Sequence, residues 1–207
     1  MVMKNPLSYQ LTEYDCGPTT MLNAINYLFE REEIPPDVIK FIMLYCLDAY
    51  NEAGEACKSG TTCMAMRFLA NWLNHYGEVK HWPIFCEVIS GESVTMRQNS
   101  KIAECLQLGG VAIARVMLDC WHYVLLTGLD SKQVYLFDPY YREHPFQKDG
   151  IELVNNAPKR MNRIVTYELL DSEGNEDYAM GERKNRECVL IYNRVTKRTI
   201  DSIEYMI

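Results

Sequence analysis

No apolar run in this 207-residue chain approaches the ~18 residues that a membrane-spanning helix needs. The longest, Val111 to Leu118, is interrupted by Arg115. Met1 to Gln10 has no apolar core of the secretory-signal type, so a cytoplasmic location is expected. Positive charge is in deficit: 21 Lys and Arg stand against 28 Asp and Glu, a net charge of −7. That balance argues against a chain built mainly to coat nucleic acid or an anionic membrane. No Cys-x-x-Cys pair, internal repeat or low-complexity tract occurs. Cys57 and Cys63 with His75 and His81 lack the spacing of zinc ligands, so neither metal nor cofactor is expected.

Hydrophobic residues make up 48% and charged residues 24%, which suits one globular domain over 1–207 rather than a disordered chain. A chain of this size buries enough surface to hold a core without covalent staples. Eight cysteines are spread irregularly: Cys16, Cys46, Cys57, Cys63, Cys86, Cys105, Cys120 and Cys188. Without a signal segment they read as reduced thiols, most of them small buried hydrophobes.

Apolar residues at helical spacing predict a helix beginning near Cys16–Pro18 and running to Phe29, with proline in its first turn. Further helices are predicted over Val38–Ala49, Thr61–Tyr76 and Ser100–Leu108, the last stopped by Gly109-Gly110. Beyond Gly110 the texture changes. Val111–Met117, Trp121–Gly128, Gln133–Phe137, Arg163–Leu169 and Glu187–Tyr192 are short and rich in β-branched and aromatic residues, and they predict strands. Asp171–Asn185, charged and glycine-containing, reads as an exposed loop or a hairpin excursion. Helices followed by strands indicate an α+β fold, with a helical half over 1–110 and an antiparallel sheet half over 111–207.

The chemistry gathers at Gln10-Leu-Thr-Glu-Tyr-Asp-Cys-Gly-Pro18. This segment sets Cys16 at a helix N-terminus, whose partial positive charge and free N–H groups stabilise a thiolate. The Cys16 N–H and the Gln10 amide are candidate donors to an oxyanion. Gly17 is expected to let a substrate backbone come close, and Asp15 is a candidate helix cap. As a small buried cysteine with ordinary punctuation after it, the same segment would do no chemistry. A matching base decides between the two.

Of four histidines, His75, His81 and His144 sit in capping or connecting positions. His122 opens the apolar strand Tyr123-Val-Leu-Leu126, and the following strand ends at Asp138-Pro139. A hairpin turning at Asp130 and Ser131 sets His122 opposite position 139, with Asp138 one residue away, close enough for a carboxylate to orient the imidazole. The pairs Tyr140-Tyr141 and Trp82 with Phe85 read as core, and Trp121 is expected on the strand face opposite His122.

Gln10, Cys16-Gly17-Pro18, His122-Tyr-Val and Asp138-Pro139 in this order resemble the bacteriocin-processing cysteine peptidases, family thirty-nine, of the papain-like superfamily. The resemblance covers about the first 140 residues. It implies a papain-like fold, a Cys16–His122–Asp138 triad with Gln10 in the oxyanion hole, a peptide or protein substrate, and no cofactor. Family members are commonly fused to a membrane transporter, whereas this sequence shows neither membrane helices nor a P-loop. It therefore reads as a stand-alone peptidase, with the part beyond Pro139 left over. The same triad also suits a thiol acyltransferase or transpeptidase, and the same cleft a peptide-binding module without catalysis.

Overall fold

The computed structural model describes residues 6–97 and 99–198. The remainder of the single 1–207 unit expected from sequence lies outside the described residues. Chain order is α1 (Cys16–Leu28), α2 (Pro36–Tyr45), α3 (Cys63–Lys80), β1 (Ile84–Ser90), α4 (Lys101–Gln107), β2 (Val111–Leu118), β3 (Cys120–Leu129), β4 (Gln133–Phe137), β5 (Ile151–Leu153), β6 (Arg163–Thr166), the short α5 (Tyr167–Leu170) and β7 (Glu187–Asn193). Among the described residues no helix is long and apolar enough to cross a membrane.

The first helix starts at Cys16 and buries Met21, Ala24, Ile25 and Leu28 along one face. The second stops at Tyr45, short of the expected Ala49. Asp48 has another task there: its Oδ1 accepts the Thr62 N–H at 3.0 Å, and its Oδ2 bonds the Thr62 hydroxyl. Thr62 in turn caps α3, its Oγ1 accepting the Ala65 N–H. α3 outruns its predicted end by four residues, to Lys80, and closes on His81 in the left-handed conformation.

Seven strands form one antiparallel sheet in the order β1-β7-β2-β3-β4-β6-β5. The sequence reading has no strand before Val111, yet β1 pairs along its whole length with β7, which arrives about a hundred residues later. Such a strand has no local partner to betray it. The sheet thus draws on the stretch read as helical.

Both faces of the sheet are covered. α1, α2 and α3 pack on one face against Ile113, Leu125, Phe137 and Ile191. α4 crosses to the other face, over Val116, Val124, Leu126 and Leu136, so the helices are not all on one side. The segment expected to be an exposed loop, Asp171–Asn185, is also built into that second face. Tyr178, Ala179 and Met180 are buried. Main-chain bonds from Tyr178 N to Met117 O at 2.7 Å and from Met117 N to Ala179 O at 2.8 Å fasten the segment to β2. The fully buried Arg186 guanidinium anchors its start through Asp171 at 2.7 Å. Its charged composition concealed these three residues. The predicted strand over Arg163–Leu169 turns into α5 after Thr166, where the Tyr167 N–H reaches Lys132 O.

Candidate active site

α1 is clamped to β3 beside the site. The Thr20 hydroxyl donates to the Tyr123 carbonyl at 3.0 Å, and the Tyr27 hydroxyl to the Thr127 carbonyl at 3.2 Å. Cys16 and His122 are thereby brought together from positions 106 residues apart, and both are nearly buried, at 7% and 5% exposure. The His122 Nε2 lies 2.7 Å from Asp138 Oδ1, and Cys16 acts on the same ring as a hydrogen-bond and charge partner. With Nε2 held by Asp138, Nδ1 is the nitrogen left for the thiol.

The electrostatics follow from this contact. Burial alone would lower the His122 pKa, but the hydrogen bond to Asp138, the bond to Cys16 and the charges of both outweigh it and push it up to about 10. Burial likewise works against charge on Asp138, which has no exposed surface. Hydrogen bonds from His122 and Tyr178, with the positive charges of His122 and Arg163, nevertheless hold its carboxyl below the usual carboxylate range. Both shifts favour the charged pair, an imidazolium facing a carboxylate.

Asp138 reaches His122 by a register one step from the simple hairpin. Leu125 pairs with Phe137 and Leu126 with Leu136, but Gly128 pairs with Tyr135. The extra residue, Thr127, forms a bulge, its hydroxyl bonding the Tyr135 and Arg160 carbonyls. By continuation Asp138 falls opposite Val124, diagonal to His122 on the same face, a span an imidazole bridges.

Gln10 joins the site through its main chain, its N–H donating to Pro139 O at 2.9 Å. Its side-chain Nε2 donates to Thr12 O at 2.9 Å, and its buried Oε1 meets no partner among the described residues. Asp15 stands at the N-cap position of α1 but does not cap it. Its carboxylate turns back to the Thr12 hydroxyl and N–H, closing the loop from Gln10 to Cys16. Gly17 does not open space for a substrate backbone as expected. A Cβ there would lie 2.1 Å from Thr61 Oγ1 and 2.6 Å from Thr61 Cβ, so the missing side chain makes room for Thr61.

The aromatic expectations divide. Trp82 is core, packed on Phe29 at 4.5 Å, whereas Phe85 pairs with Tyr192 across the sheet. Tyr140 and Tyr141 are exposed rather than core, because Pro139 has carried the chain out of the sheet; Tyr141 meets Tyr9 edge-on. Trp121 turns away from His122 and lies under the Arg115 guanidinium. Among the described residues no group of three or more His, Cys, Asp or Glu is placed to hold a metal ion.

Residues that the sequence reading missed surround Asp138. Asn162 accepts the Asp138 N–H at 2.7 Å and donates to its carbonyl at 2.8 Å. The Tyr140 N–H donates to Oδ1 at 2.7 Å, and the Tyr178 hydroxyl to Oδ2 at 2.6 Å. Arg163, 1% exposed, stands behind Tyr178. An arginine opening the apolar run Arg163-Ile-Val was the available signal, since a buried guanidinium requires partners.

No protein-family model and no curated protein sequence matches this chain. Among solved structures, it is similar at 12% identity and a TM-score of 0.45 to a double glycine motif protease from an AMS/PCAT transporter, solved in complex with the leader peptide; the match covers 94% of this chain and 91% of the other. At that identity and score the similarity decides nothing about the chemistry of this site.

Proposed function

We propose that this chain is a papain-like cysteine peptidase or amide hydrolase acting on a peptide or protein in the cytoplasm. The observation that carries the reading is the buried His122–Asp138 pair facing Cys16 at the first residue of a helix. Cys16 Sγ, as a thiolate beside protonated His122, bonds to the acyl carbon. The carbonyl electrons move onto oxygen, where the Cys16 N–H and the second Gln10 amide proton, the one not given to Thr12, donate. Collapse of this adduct breaks the C–N bond, and His122 passes its proton to the departing amine. His122 then takes a proton from water, whose oxygen attacks the thioester. The acid leaves, and the thiolate–imidazolium pair is restored. Asp138 orients the imidazole through Nε2 and stabilises its charge throughout.

Iodoacetamide labelling across pH 4–9, read by peptide mass spectrometry at all eight cysteines, tests this reading. Cys16 is expected to react first and well below pH 8. Labelling of Cys16 no faster than of the other thiols overturns it.

A further inference from the structure

The acyl-transfer steps need Asp138 only as the partner of His122, yet its other oxygen is bound as firmly. Oδ2 accepts the Tyr178 hydroxyl at 2.6 Å, and that hydroxyl itself accepts from Arg163 Nε at 3.0 Å. A guanidinium has donors only, so the phenol proton has one direction left, toward the carboxylate. Arg163 is fixed by its remaining nitrogens, Nη1 on Asn162 O at 2.9 Å and Nη2 on Tyr140 O at 3.2 Å. Tyr178 has no exposed surface and keeps a left-handed backbone, φ 67°, in a residue that seldom adopts it. Strain of this kind persists where the surroundings over-determine it.

We propose that Tyr178 and Arg163 are positioning residues that hold Asp138 ionised and in a single orientation, so that residues 140–198 complete the site from behind. The proposal rests on the hydrolase reading for its consequence, although not for its geometry. A guanidinium paired directly with a carboxylate tends to take both oxygens. With the phenol interposed, Arg163 supplies its charge at one remove and leaves Oδ1 to His122. The charged and titratable groups on this chain of contacts are Cys16 on α1, His122 on β3, Asp138 after β4, Arg163 on β6 and Tyr178 on the segment after α5; Cys16 faces Cys46 and Cys120 in addition.

The test is Tyr178→Phe in the full chain, which removes one hydroxyl and keeps the ring. Two quantities are followed with pH: the carboxyl-carbon NMR shift of Asp138 in aspartate-labelled protein, and the rate at which iodoacetamide alkylates Cys16. In the variant, Asp138 is expected to take up its proton on the order of one pH unit higher, because a hydrogen bond favouring the charged form is gone. At pH 6, where Asp138 stays ionised in both proteins, alkylation is expected to slow several-fold through the lost orientation of the carboxylate alone. An unchanged Asp138 titration in a variant with native near-ultraviolet dichroism overturns the proposal. If Tyr178→Phe fails to fold, the parent supplies the measurement. The Tyr178 hydroxyl proton is expected to shift with the same midpoint as the Asp138 carboxyl carbon, and separate midpoints overturn the proposal. A Cys16 that is unreactive in the parent, together with an Asp138 titration that moves in the variant, refutes the hydrolase reading and leaves the positioning device standing.

Discussion

The two sides of His122 are built differently. On the front, Cys16 sits at the start of a helix and Gln10 on a loop, the buried Gln10 Oε1 meeting no partner among the described residues. On the back, both Asp138 carboxylate oxygens and both its backbone groups are bonded, by His122, Tyr140, Tyr178 and Asn162. A fully satisfied polar cluster is rigid, and removing any member leaves a buried group exposed to the full cost of its desolvation. The back is bonded into one arrangement, and on the proposed reading the front is the side that meets the substrate.

That contrast is breakable. Cys16→Ala acts on the front alone and is expected to lower hydrolysis of any cleaved peptide at least about a thousandfold with little change in unfolding free energy. Turnover as fast as the parent's would remove the nucleophile from the scheme. Asp138→Asn acts on the back and is expected to harm both properties. Turnover should fall about a hundredfold or more as the imidazolium loses its counter-charge. Stability should fall by about 2 kcal/mol as hydrogen bonds to a buried charge are lost, measured by urea unfolding.

The stability gap between parent and Asp138→Asn carries a pH signature. His122 has a raised pKa in the folded state, so its stabilisation is complete below the ordinary value of 6.5 and disappears as pH rises toward about 10. Asp138 has a lowered pKa, so its stabilisation is present above its ordinary 3.8 and is lost as pH falls below that value. The gap is therefore expected to be widest between about 4 and 6.5 and to narrow on either side. A gap independent of pH would mean that the pair is neutral.

Gln10→Ala returns to the front, where it should cost about a hundredfold in turnover while barely moving the melting temperature. Gly17→Ala is expected to have the smallest effect on chemistry and to act through packing. Its Cβ collides with Thr61, at a cost of about 1–3 kcal/mol in thermal unfolding. Thr61→Gly in the same chain should recover most of that loss. A stable but slow Gly17→Ala would instead restore the reading in which Gly17 gives substrate room to approach.

The positions of Cys16, His122 and Asp138 were legible in the sequence, because each of the three carries a local sign. Pro18 marks the helix start, His122 opens an apolar strand, and Asp138 precedes a proline. The residues that bond Asp138 from behind carried no such marks. Arg163 and Tyr178 belong to stretches that read as a strand and a charged loop, and Asn162 lies just ahead of that strand in a stretch with no assignment; they matter only because β6 and the segment after α5 fold around the end of β4. The same limit hid β1, whose partner β7 lies about a hundred residues away.

By itself, the order of residues determined which elements form where spacing and caps are local: the first helix, the β3–β4 hairpin, and the presence of a cysteine, a histidine and an aspartate at their ends. Tertiary structure alone decided that these ends meet, that a bulge at Thr127 leaves Asp138 diagonal to His122, and that a phenol and a guanidinium from the last quarter of the chain stand behind the carboxylate. Local periodicity reports which face of an element is apolar. Only long-range packing, with its demand that every buried charge find a partner, reports what that face is set against.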